Sequence, residues 1–261
     1  MRLLDHVDDE LAALARESKH VAVLSGAGIS AESGVPTFRE VQTGLWEQFS
    51  AEDLATPEAF EEDPALVWTW YRWRQSLVQA VDPNPGHRAL AQWQKHLGQT
   101  GGSLTISTQN VDDLHERAGA EVLAHLHGSI AAHRCTDCDA AAELPTPGYD
   151  GFEAPPQAED PPACEHCATG LIRPDIVWFG EALPMSAFDA TMAAIRAADL
   201  VLVVGTSGIV QPAAGLPLLA LERGTPLVEV NPQETELSET MDFVLRGPSG
   251  QMLPTLLERI S

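Results

Sequence analysis

The chain carries little positive charge. Its 261 residues contain 15 Lys and Arg against 38 Asp and Glu, which gives a formal net charge of −23 at pH 7, and Lys19 and Lys95 are its two lysines. A surface of this sign repels phosphate backbones, which excludes general nucleic-acid binding. It favours encounters with basic, lysine-rich partners instead.

Long apolar runs are also missing. No segment approaches the roughly 18 consecutive apolar residues that a membrane-spanning helix needs, and the sequence turns acidic at Asp5, before the apolar core of a signal peptide. We therefore expect a cytoplasmic protein with no membrane association. The hydrophobic content of 44% is ordinary for a globular protein, and the length suits one large domain or one domain with an insert.

Cysteine is rare and confined to one short segment. Two pairs, Cys135-x-x-Cys138 and Cys164-x-x-Cys167, are separated by 25 residues. This interval exceeds the roughly 15–20 residues common in zinc ribbons, but its Pro- and Gly-rich middle is predicted to be a loop. In a reducing compartment the pairs indicate a metal site rather than disulfides. Four thiolates complete the tetrahedral shell of Zn²⁺, so we expect one structural zinc ion.

Short β-branched apolar runs alternate with helical stretches over most of the chain. The predicted strands are His20–Leu24, Leu104–Thr108, Glu121–Leu126, Ile172–Phe179, Asp199–Val204, Pro226–Val230 and Asp242–Leu245. The predicted helices include Pro57–Glu62, His87–Leu97, Asp112–Ala118, Met185–Ala198 and Gln211–Glu222. This alternation predicts an α/β fold with a Rossmann-like parallel sheet and right-handed crossovers.

Two stretches interrupt the alternation. Residues 44–81 are helical and aromatic-rich, and residues 135–167 carry the cysteines around a centre rich in Pro, Gly and acidic residues. We therefore predict a large Rossmann-like domain from residues 1–43, 84–129 and 172–261. A smaller zinc-binding and helical domain is predicted from residues 44–83 and 130–171, and a ligand cleft is expected between the two.

The first chemical motif follows the first predicted strand. Gly26, Gly28 and Ala31 fit the dinucleotide pattern G-x-G-x-x-G/A, in which small residues let backbone amides approach a pyrophosphate. Alone, the pattern is equally compatible with a tight turn that binds no ligand. The second strand with a terminal acidic residue, which a dehydrogenase places about 20 residues later, is not predicted here. A bound nucleotide is therefore expected to be held in a different manner.

Polar residues follow the next two predicted strands. Gln109, Asn110 and Asp112 come directly after one of them, and His127 follows the other. In parallel α/β sheets such positions face a ligand cleft. Helix capping explains one of the first three residues but does not require all of them, and a lone histidine is more often structural. Its place beside the other motifs makes His127 a candidate general base.

In this order, the motifs resemble those of the sirtuins, which are NAD-dependent protein-lysine deacylases. The matching segments are Gly26-Ala27-Gly28-Ile29-Ser30, Thr108-Gln109-Asn110-x-Asp112, Leu126-His127-Gly128, the paired cysteines, Gly205-Thr206-Ser207 and Val230-Asn231. The segment Arg173-Pro174-Asp175-Ile176-Val177-Trp178-Phe179-Gly180-Glu181 is similar to the strand that binds acyl-lysine in that family. The resemblance covers nearly the whole chain, which implies one catalytic unit.

The resemblance implies a set of site residues. NAD, consumed as a co-substrate, would be bound by Gly26, Ala27, Gly28, Ser30, Phe38, Arg39, Gln109, Asn110, Asp112, Gly205, Thr206, Ser207, Asn231 and Ser249. The catalytic residues would be His127 and Asn110. The substrate would be bound by Tyr71, Arg74, Val177, Trp178, Phe179 and Gly180. The expected partners are acylated-lysine proteins or peptides, and we expect a monomer.

The implied reaction transfers an acyl group from lysine to ADP-ribose. The acyl oxygen attacks the anomeric carbon as nicotinamide leaves, which gives an imidate. His127 removes a proton from the ribose hydroxyls so that the 2′-oxygen attacks the imidate carbon, and water completes the release of lysine and O-acyl-ADP-ribose. General-base assistance of this kind contributes on the order of 10²–10⁴ in rate.

The helix predicted from Asp63 to Val81 bears on the identity of the acyl group. Tyr71 and Arg74 lie three residues apart and therefore share one helix face. A guanidinium binds a carboxylate bidentately and a phenol adds a hydrogen bond, which suits succinyl- or malonyl-lysine. The pair also resembles the Tyr-x-x-Arg of class III sirtuins, which implies removal of acidic acyl groups and also of acetyl groups. The alternative is that Trp70 and Trp73 pack inward while the arginines are solvated.

Other functions stay open at this point. A deacetylase without acidic-acyl preference and a mono-ADP-ribosyltransferase on the same scaffold are the closest alternatives. A Rossmann-like NAD dehydrogenase would instead produce NADH, and a non-enzymatic zinc-ribbon adaptor would bind NAD without consuming it.

Overall fold

A computed structural model describes residues 1–35, 50–149 and 157–260. The strands found in these ranges are β1 Arg2–Leu4, β2 His20–Ser25, β3 Ser103–Thr108, β4 Val122–His125, β5 Gly128–Cys135, β6 Ala141–Ala142, β7 Ile172–Ile176, β8 Leu200–Val204, β9 Leu227–Val230 and β10 Phe243–Leu245. The helices are α1 Asp9–Glu17, α2 Ala27–Ala31, α3 Ala51–Leu54, α4 Pro57–Glu62, α5 Pro64–Gln79, α6 Pro85–Gln99, α7 Leu114–Arg117, α8 Met185–Ala197 and α9 Ser249–Ile260. Within the described ranges, 3₁₀ helices lie at Ala213–Arg223 and Ser238–Thr240.

A parallel sheet forms the body of the described structure. Its strand order is β1-β10-β9-β8-β2-β3-β4, and every neighbouring pair is parallel. All five residues of β8 are buried, as expected for a strand covered on both faces. Helices α1, α6 and α9 share an apolar core with one face, and α8 and the longer 3₁₀ helix share one with the other. The predicted Rossmann-like α/β fold is confirmed.

A second, antiparallel sheet lies beside this body. Its order is β6-β5-β7, and helix α5 packs on it in an apolar cluster that includes Val67, Trp70, Ile130 and Ile172. Helix α5 begins after Asp63, whose carboxylate accepts the N–H of Leu66 at 3.0 Å. The aromatic residues of the predicted helical insert thus form the core of the smaller unit.

The prediction of a parallel strand at Ile172–Phe179 is wrong in two respects. Strand β7 pairs antiparallel with β5 in the small sheet, and it ends at Ile176. Its middle residue, Pro174, has no N–H to donate, which suits an edge strand and not the interior of a parallel sheet. Beyond Ile176 the backbone N–H of Phe179 donates to Ala55 O at 2.9 Å, so the chain leaves the sheet.

The helix predicted at Gln211–Glu222 is a 3₁₀ helix, Ala213–Arg223. Pro212 precedes it and Pro217 lies inside it. Proline lacks the N–H that an α-helical hydrogen bond requires, so α-helical pairing is interrupted here. Among the helices that the structure describes, none has the length and apolar character to cross a membrane.

Both lysines are exposed at the amino-terminal edge of the parallel sheet. Lys19 directly precedes β2, and its carbonyl oxygen accepts the N–H of Ser103 at the start of β3. Lys95 lies in the last turns of α6, which leads to the same end of β3. The carboxyl ends of the strands lie at the opposite edge.

At that opposite edge, the turn after β2 packs directly against the end of β8. Gly28 N donates to Gly205 O at 2.8 Å, and Gly26 N donates to Val204 O at 2.9 Å. Gly205 has a φ of +63°, a conformation that favours glycine. A Cβ on Gly28 would lie 2.7 Å from the Cα of Gly205. The two backbones therefore meet only because neither carries a side chain.

We expect Gly28→Ala to destabilise the protein, because the backbone at Gly205 would have to shift. Gly98 in α6 provides a matched control, since an added Cβ there meets nothing within 4 Å and alanine is favoured over glycine in helices by about 1 kcal/mol. Thermal unfolding should give a lower Tm for Gly28→Ala and an equal or higher Tm for Gly98→Ala. An unchanged Tm for Gly28→Ala would contradict the close packing.

Candidate active site

The segments that follow the strands of the parallel sheet meet at one edge. Gln109 N, after β3, donates to Ser25 O at the end of β2 at 2.9 Å. Gly205 N, after β8, donates to Val230 O at the end of β9 at 3.0 Å. The glycine turn, the polar residues after β3 and the residues after β8 and β9 are therefore neighbours, although they are far apart in sequence.

Two of the predicted cofactor-binding residues are in direct contact. Asn110 Nδ2 donates to Ser30 Oγ at 3.0 Å, and Asn110 N donates to Thr108 Oγ1 at 3.0 Å. All three residues are buried. The amide of Asn110 is thus oriented from the glycine turn and from its own strand, which fixes its position at the edge of the sheet.

Asp112 has a capping contact of the kind expected for a helix start. Its carboxylate accepts the N–H of Leu114, the first residue of α7, at 3.1 Å. The residue is only 6% exposed, and burial raises the pKa of the carboxyl while hydrogen bonds to Leu114 and Ser30 oppose the shift. Capping therefore accounts for Asp112 but not for Asn110. Gln109 contributes its backbone groups to the site.

His127 is held in one tautomer. Its Nδ1 lies 2.9 Å from Gln109 O, and because a carbonyl oxygen only accepts, Nδ1 carries the hydrogen. The other ring nitrogen, Nε2, is then the acceptor. Burial lowers the pKa of the half-buried imidazole below its ordinary 6.5, although the hydrogen bond to Gln109 opposes the shift. The ring is therefore neutral at pH 7 and able to take up a proton.

The residues after β8 and β9 extend the polar edge. Asn231 Nδ2 donates to Thr206 O at 2.9 Å, and the hydroxyl of Thr206 is buried with no hydrogen-bond partner among the described residues. Ser249, at the start of α9, donates to Glu32 Oε1 at 2.7 Å. The C-terminal helix is thereby tied to the residue that follows α2.

Helix α5 and the segment after β7 form an aromatic wall. The rings of Tyr71 and Trp178 stack with centroids 6.2 Å apart, both residues are buried, and Cζ of Arg74 lies 4.8 Å from the centroid of Trp70. The N–H of Val177 donates to the carbonyl oxygen of His127 at 2.9 Å. This bond connects the wall to the sheet edge.

The structure describes some of the remaining predicted site residues and not others. Phe179 is 43% exposed and Gly180 is also exposed. Ser207 is half-buried. Phe38 and Arg39 lie outside the described residues, so their placement stays a prediction.

The four cysteines form a compact cluster between β5 and the loop before β7. Their sulfur atoms all lie within 4.8 Å of one another, with Cys135 Sγ–Cys167 Sγ at 3.6 Å and Cys138 Sγ–Cys164 Sγ at 3.8 Å. Tetrahedral zinc–thiolate bonds of about 2.3 Å place sulfur atoms about 3.8 Å apart. Backbone N–H groups of Asp137, His166 and Gly170 point at the sulfur atoms. The cluster fits a structural zinc ion.

Comparison with known proteins decides the family. The family model described as Sir2 family matches residues 26–212. The NAD-dependent protein deacylase of Mycobacterium tuberculosis (strain ATCC 25618 / H37Rv) is 51% identical over 245 residues, which cover 92% of this chain and 97% of the relative. This chain belongs to the Sir2 family.

Solved structures agree with the membership in the Sir2 family. A Sir2 homolog in complex with NAD matches with a TM-score of 0.87 at 43% identity, over 100% of this chain and 96% of the other. A Sir2 protein bound to an acetylated peptide matches with a TM-score of 0.80 at 29% identity, over 97% of this chain and 98% of the other.

A buried polar layer that no sequence motif indicates lies beneath the site of this Sir2 chain. Ser25 Oγ lies 2.9 Å from His115 Nε2 and donates to Thr108 Oγ1 at 2.9 Å. The rings of His115 and His87 lie 4.9 Å apart, and His87 Nε2 lies 3.5 Å from Ser30 Oγ. Burial lowers the pKa of His115 to about 3 and that of His87 to about 4, so both are neutral. The signal that could have found His87 is its place on the apolar face of α6.

We expect removal of zinc to unfold the smaller unit of this Sir2 chain, because the cluster joins β5 to the loop before β7 and metal binding to such a site is coupled to folding. Chelation, or Cys135→Ser, should abolish zinc binding and lower the Tm, and activity should fall with folding. The measurements are metal content and thermal unfolding of the same samples. Full activity in a folded, metal-free protein would contradict a structural role.

Proposed function

We propose that this Sir2 chain is an NAD-dependent protein-lysine deacylase that acts on acylated-lysine peptides or proteins and releases nicotinamide and O-acyl-ADP-ribose. The observation that carries the proposal is the position of His127. Its Nε2 is left to accept a proton, while its own carbonyl oxygen accepts the N–H of Val177. The expected base and the expected acyl-lysine segment are thus joined by one hydrogen bond.

The edge of the sheet fits a dinucleotide. Gly28 and Gly205 pack too closely for side chains, and such close backbone packing is the role that glycines have in dinucleotide-binding turns. The buried hydroxyl of Thr206 has no partner among the residues that the structure describes, and Asn110 is oriented by Ser30. We assign the phosphates to the glycine turn and the ribose hydroxyls to these polar side chains.

The role proposed for His127 follows from its hydrogen bond to Gln109. Nε2 takes a proton from the ribose hydroxyls, and the imidazolium that forms keeps donating from Nδ1 to the Gln109 carbonyl. Because burial holds the pKa below 6.5, the base form is already present at neutral pH. Asn110, whose backbone follows Gln109, is proposed to orient the ribose.

We further propose that the preferred acyl groups are acidic, such as succinyl or malonyl. Burial raises the pKa of Tyr71, and the nearby Arg74 opposes the shift, so the phenol stays protonated and can donate. The indole N–H of Trp178 is buried beside this phenol. A carboxylate could accept hydrogen bonds from the phenol and, bidentately, from the guanidinium of Arg74, whereas a neutral acyl group offers no charge to the guanidinium.

The decisive experiment is mass spectrometry of matched acetyl-lysine and succinyl-lysine peptides incubated with NAD. We expect free lysine peptide, nicotinamide and O-acyl-ADP-ribose from the wild-type protein. His127→Ala should bind NAD with little change and lose turnover, because the general base is gone. A variant that keeps a tenth of the activity would remove His127 from this role.

The same experiment separates the alternatives. ADP-ribose attached to protein would indicate a mono-ADP-ribosyltransferase, and NADH without free nicotinamide would indicate a dehydrogenase. NAD binding without any consumption would indicate a non-enzymatic adaptor. Equal efficiency on both peptides would support a deacylase without acidic-acyl preference.

Arg74→Met should abolish desuccinylation while deacetylation survives, because methionine keeps the bulk of the side chain but cannot bind a carboxylate. Arg72→Met on the same helix is the matched control, since Arg72 donates to Gln75 Oε1 and Pro145 O. Its effect should be the same on both substrates. Steady-state kinetics with both peptides checks this, and equal losses from Arg74→Met would refute the acidic-acyl site.

A further inference from the structure

The segment between β7 and α8 is fixed by three backbone N–H groups that point in different directions. Val177 N donates to His127 O at 2.9 Å and Phe179 N donates to Ala55 O at 2.9 Å. Trp178 N donates to the carboxylate of Glu181 at 2.8 Å, and Glu181 N donates back to Trp178 O at 3.0 Å. The chain from Val177 to Gly180 is therefore folded around the side chain of Glu181.

Arg173 on β7 holds that carboxylate in a two-pronged contact. Its two terminal nitrogens donate to Glu181 Oε1 at 2.6 Å and to Glu181 Oε2 at 2.9 Å. One of them also donates to Ile176 O at 2.9 Å, and Cζ lies 3.4 Å from the ring centroid of Trp178. The Arg173 side chain is 7% exposed. The guanidinium of Arg173 thus contacts Ile176, Trp178 and Glu181.

The carboxylate of Glu181 stays ionised in the neutral range. Burial acts to raise the pKa of Glu181, but the hydrogen bonds from Arg173 and from Trp178 N–H hold it below its ordinary value. From the outer side, Arg134 approaches Glu181 at 3.7 Å and Asp175 at 3.2 Å. A carboxylate bound by both terminal nitrogens of a guanidinium, as here, is the strong form of an arginine–carboxylate ion pair.

We infer that Arg173 and Glu181 are positioning residues that hold Val177–Gly180 in the shape that binds the acyl-lysine chain next to His127. The inference rests on the proposed function, because it gives this segment a substrate. Buried ion pairs can often be replaced by apolar residues without loss of stability, so stability alone does not require this pair. Its specific effect is geometric, because it sets where the segment lies relative to the base.

The first test uses Glu181→Gln and Arg173→Lys, which keep size or charge but break the two-pronged contact. The KM for an acyl-lysine peptide should rise about tenfold or more, because misplaced binding groups weaken substrate binding. The affinity for NAD, measured by calorimetry, should change less than about twofold, since no NAD-binding residue is altered. Glu222→Gln is the matched control, because Glu222 lies in an exposed pair with Arg196 Nε at 3.9 Å, and its KM should be unchanged.

A double variant separates positioning from stability. Arg173→Met combined with Glu181→Gln removes both charges, so it should regain most of any Tm lost in Glu181→Gln. The KM for the peptide should nevertheless stay raised, because the fork is gone. A double variant in which Tm and KM recover together would overturn the inference and leave the pair a stability element.

Nicotinamide release by the wild-type protein distinguishes a failure of this inference from a failure of the proposed function. If the wild-type protein releases nicotinamide with an acyl peptide but Glu181→Gln has an unchanged KM, the positioning role is refuted and the proposed function stands. If the wild-type protein releases no nicotinamide from NAD and either peptide, the proposed function fails, and the positioning role fails with it.

Discussion

A hydrogen-bonded junction at His127 joins the parallel sheet to the segment after β7. The ring donates to Gln109 O on the parallel sheet, and the backbone carbonyl of the same residue accepts Val177 N from the segment after β7. The position of His127 depends in turn on the parallel direction of the strands, since a parallel sheet brings the carboxyl ends of β2, β3 and β8 to the same edge.

Much of this arrangement could be predicted from sequence. Runs such as Leu200–Val204 are continuously apolar because both faces of the strand are covered, and the paired cysteines indicate their cluster through spacing alone. The sequence predicts the wrong sheet for β7 because an apolar run does not reveal its partner strand, and Pro174 is the residue that argues against a central strand. Helix starts coincide with capping side chains that the sequence shows, as at Asp63, which precedes α5.

The polar layer below the site could not be predicted in the same way. Ser25, His87 and His115 come from three separate elements, and their contacts exist only after the sheet and α6 have packed. Arg173 and Glu181 are the two ends of the segment that resembles the acyl-lysine-binding strand of sirtuins. The two-pronged contact between them depends on a turn that hydrophobic periodicity does not predict. Local patterns predict elements and strand ends, whereas buried polar contacts between elements are a property of the packed chain.

The location of the two lysines has a consequence for a protein proposed to act on modified lysines. Lys19 and Lys95 are exposed at the amino-terminal edge of the sheet, across the body from His127. If either side chain became acylated, it could not reach His127 of its own molecule, so self-processing would require a second copy. With no other lysine in the chain, the protein offers almost no competing lysine of its own and leaves the proposed site available to foreign proteins.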